Sequence, residues 1–147
     1  YTTLFRSAKV FPIAEFDPTI VELSIGDDGA VSVAAEMPLK GSDGRKLNGL
    51  SNPLVTTTTE GAYGADGKEL AKSTDGFDSE SLVRLSDGTF WIGDEYGASI
   101  AHVAADGAVL KRLVPAGLEG DYKGASYPVE GKLPPLVIPE VRNDPPK

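Results

Sequence analysis

Apolar and polar residues alternate in short runs along this chain, and tight-turn signals separate the runs. Over Thr19–Ile25, Val21, Leu23 and Ile25 fall on one face and Glu22 and Ser24 on the other. Val31, Val33 and Ala35 resume the alternation beyond Asp28-Gly29. Residues 81–85 and 89–94 flank Asp87-Gly88, and residues 99–103 and 108–114 flank Asp106-Gly107. A period of two places successive side chains on opposite faces of a strand, and Asp-Gly accepts the positive φ that tight hairpins need. Three successive hairpins are therefore predicted, turning at these three pairs. Asp43-Gly44, Asp66-Gly67 and Asp75-Gly76 bring the Asp-Gly pairs to six. No window carries a helical period. The predicted class is all-β, with antiparallel hairpins of the kind found in sandwiches, barrels and propeller blades.

Two stretches break the pattern. Residues 38–76 hold few long apolar runs, although the β-branched residues 55–59 are compatible with a strand. Residues 128–147 hold six of the 11 prolines, which forbids a central strand and predicts an extended, irregular tail. The first seven residues, Tyr-Thr-Thr-Leu-Phe-Arg-Ser, show neither period nor cap and resemble the translation of a sequencing-adapter oligonucleotide. Treated as a scar, they leave residues 8–147 as one domain.

Composition narrows the chemistry. With 17 Gly and 11 Pro in 147 residues, a helical bundle is excluded. The net charge of −8 repels phosphate backbones and argues against nucleic acid as a partner, while suiting cation binding. No run approaches the roughly 20 apolar residues of a membrane-spanning helix. There is no cysteine, so thiolate chemistry and zinc-thiolate sites are ruled out. His102 is the single histidine, and no Gly-x-Ser-x-Gly elbow accompanies it, so it reads as structural or solvent-exposed rather than catalytic. Nothing in the pattern sets an oligomeric state.

The chemistry concentrates in residues 75–97. With a three-residue loop Ser86-Asp87-Gly88, Leu85 faces Thr89 and Glu80 lies across from Asp94, with Asp78 across from Tyr96. A one-residue bulge at Gly93 would instead oppose Glu80 to Glu95. Either register gathers Asp78, Glu80 and one or both of Asp94 and Glu95 at the open end of one hairpin. Like charges so close repel unless a cation sits among them, and hard carboxylate oxygens suit Ca²⁺. Asp78, Glu80, Asp94 and Glu95 are thus candidate metal ligands, and Glu80 with Asp94 or Glu95 the candidate catalytic pair. The plain alternative is a solvated strand end. Arg84 alternates onto the Glu80 face, where it either pairs across the strands or holds an anionic substrate group. Tyr96 either lines the pocket or packs the turn. Trp91 reads as core, and Lys111 and Arg112 as the exposed side of an outer strand.

The pattern Asp-x-Glu-x-Leu-Val-Arg-Leu-x-Asp-Gly-x-Phe-Trp-x-x-Asp-Glu-Tyr-Gly-x-Ser-Ile, starting at Asp78 and followed by Asp-Gly-x-x-Leu-Lys-Arg at Asp106, resembles the phytase-like family described as "esterase-like activity of phytase". The resemblance runs from about Asp17 to Pro135. It implies a β-propeller-like fold, an exported bacterial protein of the periplasm or exterior, and hydrolysis of small-molecule phosphate or carboxylic esters; Ca²⁺ held by the carboxylates is the cofactor that an enzyme reading calls for. The chain departs from the family at Ser81, where members usually carry Gly, and after Pro135. A complete propeller needs more blades than 147 residues supply, so the resemblance also implies an internal fragment. Two other readings stay open: a lactonase-like propeller, since Asp-x-Glu-x-Leu resembles the glutamate motif of the gluconolactonase group, and a non-catalytic binding or envelope propeller.

Overall fold

The structure is a computed structural model that describes residues 8–54 and 61–135. The first seven residues, expected to be a scar, and the strand expected at 55–59 lie outside the described residues. The described residues form ten strands: β1 (Ala8–Phe11), β2 (Thr19–Ile25), β3 (Val31–Pro38), β4 (Gly61–Gly64), β5 (Glu69–Leu70), β6 (Ser79–Arg84), β7 (Phe90–Asp94), β8 (Ser99–Val103), β9 (Val109–Pro115) and β10 (Val129–Leu133). One 3₁₀ turn, Glu119–Tyr122, precedes β10. No α-helix occurs among the described residues, so the chain is all-β.

The strands form a five-stranded sheet in the order β10-β9-β8-β7-β6, a three-stranded sheet β1-β4-β5, and the two-stranded ribbon β2-β3. Pairing is antiparallel except between β1 and β4 and between β9 and β10. Among the described residues no sheet closes into a barrel or a ring of blades.

The three predicted hairpins are β2–β3, β6–β7 and β8–β9. Their turns share one device with those at Gly44 and Gly67. At each, the glycine amide bonds the carbonyl three residues back, as in Gly88 N to Leu85 O at 3.1 Å. The aspartate Oδ1 then accepts the amide two residues on, as in Thr89 N to Asp87 at 3.0 Å. The five glycines have φ between 77° and 87°, where a side chain would be strained. Asp75-Gly76 is the exception. Gly76 is there for close approach: a Cβ on it would lie 2.2 Å from the Leu50 carbonyl oxygen.

The core sits on one face of the five-stranded sheet. Phe90 and Ile92 of β7, Ala101 and Val103 of β8 and Val109 of β9 pack there with Leu39, Leu47, Phe77 and Tyr127 from the long loops. Burying one such side chain stabilises the fold by roughly 1.5–3 kcal/mol. On the opposite face Trp91 is only half-buried and stacks on His102 at 4.6 Å, while His102 bonds Thr89 Oγ1 at 3.0 Å. The histidine therefore has a structural partner, and the tryptophan is a surface stack rather than a core residue.

Two further expectations need correction. Arg112 is fully buried, not exposed. Adjacent strand residues point to opposite faces, so Lys111 and Arg112 cannot both face solvent in a regular strand. Residues 129–133 are also not irregular: they form β10, parallel to β9 at the sheet edge. Proline excludes only a central position, and Pro134-Pro135 follow where the strand ends. The β2–β3 ribbon, by contrast, carries little of the core. Leu23, Ile25, Val31 and Val33 are each more than half exposed on it.

Candidate functional site

Phe77 is buried in the core and anchors the start of β6, and Asp78 follows at the open end of the β6–β7 hairpin. Leu85 N bonds Thr89 O at 2.8 Å, which sets the expected three-residue loop. From there Arg84 pairs with Phe90, Val83 with Trp91, Leu82 with Ile92 and Ser81 with Gly93. The register then slips, and Ser79 rather than Glu80 opposes Asp94.

A bulge is present, but on β6 at Glu80 rather than at Gly93. It moves the partner of Asp94 in the opposite sense from the bulge expected. Glu95 N now bonds Asp78 O at 2.9 Å, so Asp78 faces Glu95 across the strands. Glu80, the extra residue, leaves the alternation. The result is a three-carboxylate group. One oxygen each of Asp78, Glu80 and Glu95 lies within 4.8 Å of the other two. That span is what a single ion with ligand distances of about 2.4 Å requires. Glu80 and Glu95 are exposed, and Asp78 is half-buried.

Burial raises the Asp78 carboxyl above the ordinary aspartate value; Lys9 pulls it back down, and Glu95 and Glu80 push it further up. Lys9, on β1, lies 4.0 Å from Asp78 and 4.3 Å from the centre of the Tyr96 ring. Sequence reading missed it, because the contact joins residues far apart in the chain and no local pattern signals it.

Asp94 is placed elsewhere. Its side chain is fully buried in an ion pair with Arg112. Asp94 Oδ2 accepts from Asn52 Nδ2 at 2.7 Å, from Ser99 Oγ at 3.1 Å and from Arg112 Nη2. Its Oδ1 accepts from the amides of Asp78 at 3.0 Å and Tyr96 at 3.1 Å. The structure thus separates Asp94 from the three-carboxylate group.

Tyr96 is buried, and its hydroxyl donates to the Gly49 carbonyl at 2.9 Å, which packs the turn. Arg84 is exposed, 5.9 Å above the Phe90 ring, and makes no ion pair among the described residues. Beside Asp78 opens a cavity of about 540 Å³ walled by Phe11, Ile13, Phe16, Pro18 and Phe77.

Compared with known families, residues 14–132 match the family model of phytase-like proteins, "Esterase-like activity of phytase". The chain belongs to this phytase-like family. The match takes in β2 through most of β10 and every candidate site residue. A relative, the "Uncharacterized secreted protein" of Arthroderma benhamiae, is 28% identical over 85 residues, covering 58% of this chain and 16% of the relative. No solved structure matches.

Ser81, expected from the resemblance to be a departure, has a structural role here. Its Oγ accepts the Gly93 amide at 3.1 Å, and a Cβ on Gly93 would lie 2.4 Å from that oxygen. Gly93 is therefore matched to Ser81 across the strands.

Proposed function

We propose that this chain carries the carboxylate portion of a cation-assisted ester-hydrolase site, with Asp78, Glu80 and Glu95 as ligands for Ca²⁺. One observation supports this above the others: three carboxylates converge within 4.8 Å of one another. Bringing three negative groups together costs free energy that a divalent cation would offset. The all-oxygen donor set fits a hard cation, and such an ion takes about 6–8 oxygens, leaving room for water and substrate. When bound, the ion would polarise an ester oxygen and lower the pKa of a bound water.

The chain's own residues supply the rest. The bulge at Glu80 aims its carboxylate at the group rather than along the strand. Glu80 or Glu95, being solvent-facing, would accept the proton of an attacking water. Lys9 is a cation close enough to meet an anionic substrate group or a leaving oxygen. Arg84 lies farther along the exposed β6 and would contact a larger substrate. Family membership supports ester hydrolysis, and the substrate class is a small-molecule phosphate or carboxylic ester. The relative's name supports a secreted protein, and no helix among the described residues is long and apolar enough to cross a membrane. Because the match spans only 16% of that relative, we assign activity to the longer protein, with these sheets as part of a propeller.

The test is direct. In a full-length family protein carrying these residues, hydrolysis of a phosphomonoester or a carboxylic ester should require added Ca²⁺ and fall sharply in Glu80→Gln. Turnover of a lactone alone would favour the lactonase-like reading. Ca²⁺ binding with no turnover of any ester would favour a non-catalytic propeller.

A further inference from the structure

We infer that the buried Asp94–Arg112 pair is a positioning device that sets the cation affinity of the acidic group from behind, without itself touching the ion. The inference rests on reading Asp78, Glu80 and Glu95 as a cation site.

The argument starts from a mechanical problem. Three carboxylates on two strand ends repel, and Lys9, 4.0 Å from Asp78, offsets that repulsion at one of them. The backbone beneath them supplies further resistance to splaying. Asp94 provides it on both strands. Its Oδ1 holds the amide of Asp78, a member of the group, at 3.0 Å and the amide of Tyr96, next to Glu95, at 3.1 Å. Between them Asp78 O accepts the Glu95 amide. The two segments that carry the ligands are thus tied to one carboxylate.

That carboxylate is itself held. Its Oδ2 takes Asn52, Ser99 and Arg112. With five donors on two oxygens, its acceptor capacity is spent, and it has none left for an ion. Arg112 is fixed in turn. Its Nε donates to Ser99 Oγ at 3.0 Å, and its Nη1 donates to Gly76 O and Tyr127 Oη, each at 3.0 Å. The rings of Phe77 and Tyr122 each lie 4.8 Å from its guanidinium carbon. Both charged side chains are fully buried, so solvent neither screens nor loosens the pair. The pair also cancels the Asp94 charge locally, so a cation meets three carboxylates rather than four.

The experiment is calorimetric Ca²⁺ titration of a full-length family protein carrying these residues, and of its variants, with affinity referred to the folded fraction measured by NMR. Glu80→Gln removes a ligand and should abolish or greatly weaken binding. Asp94→Asn removes no ligand, yet its amide cannot accept the three donors at Oδ2. Affinity should fall about 10-fold or more, the usual effect of disturbing groups that orient ligands. Ser99→Ala, a milder change that removes one donor to Asp94 and the acceptor of Arg112 Nε, should weaken binding about three-fold. Val103→Ala opens the core at the other end of β8 and serves as the stability control; its folded fraction should bind like wild type. Asp94→Asn binding within two-fold of wild type, while Glu80→Gln does not bind, would overturn the positioning role and leave the site standing. Should Asp94→Asn fail to fold, Ser99→Ala decides, and unchanged affinity there overturns the proposal. If wild type does not bind, or Glu80→Gln binds as wild type does, the site reading fails and the inference falls with it.

Discussion

Replacing Arg112 with Met should be among the most damaging single changes in this chain. The side chain is fully buried and shares its burial with the Asp94 carboxylate. Met fills much of the same volume, so little of the effect should come from a cavity. The damage comes from the charge left behind. Asp94 would keep Asn52, Ser99 and two backbone amides but lose its counter-ion, while Gly76 O and Tyr127 Oη lose a donor. Breaking a buried pair from one side costs about 3–5 kcal/mol. Total stabilities run at about 5–15 kcal/mol, so much of the folded margin would disappear. Urea unfolding followed by Trp91, the only tryptophan, reads the loss as a lower midpoint at unchanged slope. Arg112→Met/Asp94→Leu removes both charges and should recover part of the loss, though it leaves the Asp78 and Tyr96 amides without that acceptor. A single-variant loss below about 1 kcal/mol, or a double variant no better than the single, would refute the reasoning.

Three further outcomes are expected. Gly76→Ala should destabilise the chain by about 1–3 kcal/mol in the same urea assay, because its Cβ would meet the Leu50 carbonyl, a backbone atom that cannot rotate away. Lys9→Met should strengthen Ca²⁺ binding about 1.4- to 5-fold at low salt, since a partly exposed pair worth about 0.2–1 kcal/mol no longer competes for Asp78; a weaker calorimetric affinity would contradict the placement of Lys9. Asp78 is raised by burial, so the folded chain takes up its proton before the unfolded chain does. Its contribution without Ca²⁺ is present below the ordinary aspartate value of 3.8 and is lost as pH rises through the raised value. The thermal midpoint of wild type relative to Asp78→Asn should fall over that interval, and Ca²⁺ binding should weaken on acidification through the same interval.

The hairpins were legible in the sequence because their information is local. An aspartate accepts the amide two residues on, a glycine takes positive φ, and alternation sets the flanking faces. These conditions are met within a few residues, so β2–β3, β6–β7 and β8–β9 emerge where the pattern places them. The loop at Asp87-Gly88 also sets the register of Arg84, Val83, Leu82 and Ser81 without outside help. Even the burial of Arg112 had a local signal, since strand geometry sends it and Lys111 to opposite faces. The same residues carried the phytase-like pattern, so family and acidic candidates were readable together.

The membership of the acidic group was decided only by tertiary structure. Sequence placed Asp78, Glu80, Asp94 and Glu95 at one strand end and left the choice between Asp94 and Glu95 open. Asp94 leaves the group because Arg112 from β9, Ser99 from β8 and Asn52 from an irregular loop meet it in the interior. None of those contacts lies within the β6–β7 hairpin, and burial made pairing with a guanidinium the way to keep the carboxylate charged. The bulge at Glu80 follows the same logic. Asp94 must reach back to the Asp78 amide, and one extra residue on β6 lets it do so while turning Glu80 toward Glu95. Local rules set the turns and the alternation; the long-range partners of one buried carboxylate set which acids face solvent together.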